Sequence, residues 1–171
     1  MIEAQAIIDS PYFKPKAHVR FELFKEIPLG LAQSIEKAVQ DFIETSHLPE
    51  GVDAKGFYYQ TLQAIANASV LRGTGDLWLG VLDGELVSYV LGNVNNDYDG
   101  RLNYLVTQAW VRKDQRGQKW VKSAWAKIRE RAKACLCQHF SIISSRGMTA
   151  AYCRFLGKGF RPYAEILKAE I

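Results

Sequence analysis

The sequence predicts an α/β (α+β) domain with a central, mostly antiparallel mixed sheet and helices on both faces. Three observations lead there. Asp83-Gly84 stands between two apolar runs, a strong short-range hairpin signal because both central residues of the tight turn need positive φ. The stretch Leu102 to Val111 carries apolar residues at odd and even positions, as expected of a strand covered on both faces. Directly after it, Val121, Ala124, Trp125, Ile128, Ala132, Cys135 and Leu136 recur at helical spacing, which predicts an amphipathic helix.

The other elements follow in chain order. Residues 1–17 hold Pro11 and Pro15 and show no period, so they read as a lead-in segment to a single domain over 18–171. His18 to Phe24 alternates as a strand. Ile35, Ala38, Val39, Phe42 and Ile43 then mark a helix from Leu31 to about Ser46, and Tyr58, Leu62 and Ile65 mark a second from Lys55 to about Asn67. Gly73-Thr74-Gly75 breaks the chain before hairpin strands at Leu77 to Leu82 and Glu85 to Val94, and Asn95 to Gly100 forms a polar turn. After the long helix, Phe140 to Ile143 reads as a strand, Thr149 to Leu156 as a helix and Phe160 to Leu167 as a last strand. The order is βααβββαβαβ, with no repeat and no linker.

Composition narrows the function classes. Hydrophobic residues at 48% and charged residues at 23% suit a globular chain rather than a disordered one. No apolar run is long enough to span a bilayer and the first residues lack a basic, then apolar, signal pattern, so a soluble cytoplasmic protein is expected. Cys135, Cys137 and Cys153 leave at least one thiol unpaired, which suits a reducing compartment. Cys135, Cys137 and His139 do not have a usual zinc spacing, and no metal site is expected. His18, His47 and His139 have no nucleophile motif beside them, which argues against a hydrolase triad.

Charge is concentrated rather than spread. The segment 112–133 holds nine basic residues against Asp114 and Glu130, within a chain of net charge +4, so the remainder is net acidic. Such a segment favours an anionic ligand or partner. Its likeness to a loop opening a helix sharpens this, because the first backbone N–H groups of a helix are unpaired donors and the helix dipole attracts negative charge there. Trp110 and Trp125 fall on buried patterns and read as core; Trp120, at the loop–helix junction, is open to either reading. Asp97 and Asp99 are turn formers that could also face an amine.

Two segments carry a resemblance to a known family. Val111-Arg112-Lys113-Asp114-Gln115-Arg116-Gly117-Gln118-Lys119-Trp120-Val121 resembles the strand–loop–helix element of the GNAT superfamily of acyl-CoA-dependent N-acetyltransferases. Ala150-Ala151-Tyr152-Cys153-Arg154-Phe155-Leu156-Gly157-Lys158-Gly159-Phe160 is similar to the helix and Gly-Phe that open the family's last strand pair. The resemblance, which covers most of the chain after Val19, implies a GNAT-like sheet splayed after the third hairpin strand. It also implies acetyl-CoA as substrate, with Val111, Arg112, Arg116, Gly117, Gln118, Lys119, Trp120 and Val121 at its pyrophosphate, and acetyl transfer to an unidentified amine.

The sequence departs from the family at telling positions. Lys119 stands where the family's first loop glycine falls, and Val121 where it has a small residue. Thr107 and Gln108 occupy the place of the usual acidic base, and neither accepts a proton usefully at neutral pH. Phe155 takes the place of the usual tyrosine acid, leaving Tyr152, one turn earlier, as the candidate catalytic residue; Met148 stands where an asparagine is common. A second reading follows from these losses. In it the fold is kept without catalysis, as in degenerate phage-encoded or virion proteins, and the basic 112–133 segment binds nucleic acid or an acidic partner.

Overall fold

The computed structural model describes residues 18–46, 48, 51–70 and 75–143. The expected lead-in 1–17, the helix from Thr149, the strand from Phe160, and Tyr152 with them lie outside the described residues. Within those bounds the order is β1 (Arg20–Phe24), a 3-10 turn (Leu29–Leu31), α1 (Ala32–Thr45), α2 (Ala54–Val70), β2 (Asp76–Leu82), β3 (Glu85–Asn96), β4 (Leu102–Val111), a second 3-10 turn (Lys113–Gln115), α3 (Lys119–Ala134) and β5 (His139–Ile142). The strands lie side by side in chain order. The first four pair antiparallel and β5 runs parallel to β4, so the sheet is mixed, as expected. A parallel neighbour needs a crossover connection, and α3 supplies it.

Local chemistry sets the boundaries. Asp83 and Gly84 both have positive φ, 51° and 83°, and join β2 to β3 through the tight turn their sequence announces. Asp53 starts α2, its carboxylate accepting the backbone N–H groups of Lys55 at 3.0 Å and Gly56 at 2.9 Å. One expected boundary needs correction. Asn95 and Asn96 belong to β3, paired with Asn103 and Leu102, and the reversal lies at 97–101, closed by Asp97 N–H on Arg101 O at 2.8 Å. Ladder pairing with β4 outweighs the weak strand preference of asparagine.

The sheet separates two cores. On one face Ile35, Val39 and Phe42 of α1 and Ile65 of α2 pack on Leu77, Leu79, Tyr89, Leu91 and Trp110. On the other, Ala124, Ile128 and Ala132 of α3 pack on Phe21, Trp78, Val90, Tyr104 and Val106. Helices therefore cover both faces, as the apolar residues on both sides of β4 require.

The helix α3 ends sooner than its apolar stripe suggests. Cys135 and Leu136 lie beyond it, and Leu136 is exposed with φ of 59°. Leu136 N–H bonds to Lys133 O at 2.9 Å and Cys137 N–H to Ala132 O at 3.0 Å. This is a Schellman closure, with leucine at the position glycine usually holds.

Candidate functional site

The site grows out of an irregularity in β4. Leu91 pairs with Gln108 and the next residue, Gly92, with Val106, so Thr107 is an extra residue bulged out of the ladder. On the other side of β4, pairing with β5 covers only Asn103 to Val106. Among the described residues no strand pairs with 107–111 on that side.

The two residues at the bulge are held by neutral partners. Thr107 Oγ1 donates to Leu91 O at 3.4 Å. The Gln108 amide donates through Nε2 to Thr61 Oγ1 at 2.9 Å, and its Oε1 accepts from the Tyr89 hydroxyl at 3.4 Å. This fastens β4 to α2 and β3, but neither side chain can serve as a base near neutral pH.

Past Val111 the chain turns through Arg112 and the 3-10 turn to Gly117, whose φ of 79° reverses it into α3. Gln118 is the N-cap residue but gives no side-chain cap. The N–H groups of Lys119 and Trp120, in the first turn, therefore have no intrahelical acceptor and no capping oxygen. Gly117, Gln118 and Lys119 are exposed around them. Arg116 is exposed too, with Nε donating to Val111 O at 2.9 Å, which fixes its guanidinium over the end of β4. Trp120 donates to Gln115 Oε1 at 3.3 Å and packs beside Phe21, with ring centroids 6.4 Å apart.

Two of the expected contact residues also serve the fold. Val121 is buried, so its side chain does not crowd the solvent side of the turn. Arg112 is matched already, at 2.8 Å from both Glu85 and Asp114. The hydrogen bonds from Arg112, and then from Gln115, hold the Asp114 carboxyl down at about 2. At the helix start Arg116, Lys119 and Lys122 are exposed and have no acidic partner among the described residues.

Further along α3 the basic row is largely engaged. Arg131 pairs with Asp76 at 2.9 Å, Lys127 Nζ donates to Phe21 O at 2.8 Å, and Lys133 pairs with Glu130 at 2.8 Å. Trp110 is buried against Tyr89, and Trp125 packs edge-on to Phe140. Neither is a stacking platform, in agreement with their sequence pattern. Sequence reasoning missed the Asp76–Arg131 and Asp97–His139 pairs, the latter 3.0 Å apart. Their partners are distant in the chain, so no spacing announces them.

No family model matches the sequence, and no curated protein matches it. Solved structures do match over most of the chain. A putative acetyltransferase from Pyrococcus furiosus superposes with a TM-score of 0.65 at 14% identity, covering 90% of this chain and 100% of that one. A predicted acetyltransferase with acetyl-CoA from Clostridium acetobutylicum gives 0.63 at 9%, covering 90% and 96%. A GNAT family acetyltransferase from Staphylococcus aureus gives 0.59 at 11%, covering 90% and 98%. The chain therefore has the GNAT fold. No described helix is long and apolar enough to cross a membrane.

Proposed function

We propose that this chain transfers an acetyl group from acetyl-CoA to an amine. The carrying observation is the uncapped start of α3, where the N–H groups of Lys119 and Trp120 stand beside the exposed Arg116 and Lys119 side chains at the end of β4. A diphosphate suits that arrangement of donors and charge. The backbone edge of 107–111, which has no strand partner among the described residues, suits the two amides of the pantetheine arm, which can bond to a strand as another strand would. The similar structure from Clostridium acetobutylicum, described as containing acetyl-CoA, supports the same reading.

In this reaction the amine attacks the thioester carbonyl, the carbonyl oxygen takes up negative charge, the C–S bond breaks to release the thiolate, and the proton on nitrogen passes to solvent water. A thiol ionises near pKa 8.5, so the thiolate can leave without a strong acid. That suits a site where Thr107 and Gln108 offer no base. The protein's contribution is then chiefly to hold both reactants in a reactive orientation. Tyr152 is the side chain proposed to protonate the leaving sulfur.

Calorimetric titration with coenzyme A and with acetyl-CoA tests the proposal. Binding of both, with acetyl transfer to members of an amine panel, is the expected result. An absence of binding to either removes the enzyme reading. The polyanion reading has no comparable observation behind it, and two of the charges it needs, on Arg131 and Lys133, already have acidic partners.

A further inference from the structure

At the turn between β3 and β4, Asp97, Asp99 and His139 each offer one ligand atom within 4.8 Å of the others. His139 Nδ1 stands 3.0 Å from Asp97 Oδ2. Two atoms bound at about 2.1 Å to one octahedral ion lie about 3.0 Å apart when adjacent and about 4.2 Å apart when opposite. The Asp97–His139 separation matches two adjacent positions of one coordination shell. By itself it is also a well-formed turn, since Asp97 Oδ1 accepts Tyr98 N–H at 2.8 Å and Asp99 Oδ1 accepts Arg101 N–H at 3.0 Å.

Asn103 is the independent observation. It is only 4% exposed, and its Oδ1 has no donor among the described residues. Its backbone pairs with Asn95 on β3 and with His139 on β5. Directly paired residues project from the same face of a sheet, so Asn95, Asn103 and His139 form one row across three strands. Asp97 follows Asn95 by two residues, along the same face, and meets His139 at the end of that row. The Asn95 Oδ1 is likewise buried with no donor among the described residues. Leaving a buried amide oxygen unpaired is costly, and among the described residues those of Asn93, Asn95 and Asn103 all lack a donor, Asn103 standing beside His139 in the sheet. A bound cation would satisfy the Asn103 oxygen, because amide and carboxylate oxygens are both good ligands for a divalent ion.

We infer that Asp97, Asp99 and His139 bind a divalent transition-metal ion, with the Asn103 amide oxygen turned toward it. One imidazole nitrogen among oxygens suits Mn2+ or Zn2+ rather than Ca2+, which takes oxygen ligands alone. Cys135 and Cys137, which the sequence sets near His139, contribute no atom to the cluster. The ion would tie the β3–β4 turn to the start of β5, at the opposite end of β4 from the proposed pyrophosphate loop. It does not depend on acetyl transfer.

The test is calorimetric titration of the metal-free full chain with Mn2+ and with Zn2+, in wild type and in a Cys135→Ser, Cys137→Ser background. One ion per chain should bind in both, with a higher melting temperature. Asp99→Asn, at an exposed position that leaves the core untouched, and His139→Gln should each weaken binding by roughly tenfold or more. Asn103→Leu should weaken it while leaving the metal-free protein at least as stable, since the unpaired oxygen is gone. If neither ion binds, if binding disappears with the two cysteines, or if Asp99→Asn and His139→Gln bind as wild type does, the site is not there.

Discussion

The Arg131 guanidinium clasps the Asp76 carboxylate, with Nε 2.9 Å from Oδ2 and Nη2 3.1 Å from Oδ1. The same Oδ2 accepts the Tyr104 hydroxyl at 2.9 Å, and Trp78 Nε1 donates to the Tyr104 oxygen at 3.1 Å. Burial pushes the Tyr104 phenol well above its ordinary range, so it stays a donor. Gly92 makes the arrangement feasible, since a Cβ there would meet the Tyr104 ring at 2.7 Å. One charge of the basic segment thus joins α3 to β2, β4 and the core between them.

Replacing Arg131 by leucine strands the Asp76 carboxylate, whose side chain is only 11% exposed. We expect a loss of roughly 2–4 kcal/mol in urea unfolding. Asp76→Asn in the same chain should recover part of it, because the uncompensated charge disappears. A double variant as unstable as the two single losses added together would show that the pair does not couple.

Leu136 makes the opposite prediction. It holds φ of 59° while 78% exposed, so it pays backbone strain and buries little in return. Leu136→Gly should raise stability by about 0.5–1 kcal/mol, the relief of strain exceeding the added freedom of the unfolded chain. An unchanged or lower melting temperature would mean that the leucine side chain contributes more than its exposure indicates.

Asp114 gives the acid side of the pH profile. Its folded carboxyl titrates at about 2, below the ordinary 3.8, because Arg112 and then Gln115 donate to it. A lowered folded value contributes stability that is present above about pH 4 and lost as pH falls toward 2. Both partners lie at the surface, so the effect on melting is small and site-resolved carboxyl NMR is the suitable measurement. Arg112→Gln should move the Asp114 midpoint up toward its ordinary value, and a midpoint that stays put would exclude the pair as its cause.

The sheet and its helices were legible because each rests on a local signal. Asp83-Gly84 fixes a turn through backbone φ, and the α3 stripe fixes a buried face through its period. The end of β3 was misplaced because asparagine favours turns by its own chemistry, while Asn95 and Asn96 are held by partners on β4. The helix end was misplaced because apolar spacing continues through Leu136, whereas the closing hydrogen bonds depend on φ at a residue that is not glycine. Within the candidate site, the loop and the exposed cations Arg116 and Lys119 could be read from Arg116-Gly117 and Lys119. The engagement of Arg112, Lys127 and Arg131 could not, since Glu85, Phe21 and Asp76 come from other parts of the chain.

The last prediction separates a ligand at the helix start from one spread along the helix. Arg116 and Lys119 flank the uncapped N–H groups, whereas Lys127 and Lys133 lie two and more turns further on, each with a partner already. A single coenzyme A makes its charge-assisted contacts at hydrogen-bonding distance, and exposed charges beyond about 8–10 Å are screened. Arg116→Glu with Lys119→Glu should therefore abolish measurable coenzyme A binding, while Lys127→Glu with Lys133→Glu should change it by less than about twofold. Nucleic acid would respond differently, because each phosphate contact releases counterions and the affinity falls steeply with salt. A short DNA duplex should bind the wild type weakly at physiological salt, with similar losses from either double substitution. Should the wild type bind the duplex tightly, with a steep salt dependence, and coenzyme A not at all, the basic segment would be a polyanion surface and the acetyltransferase assignment would fall.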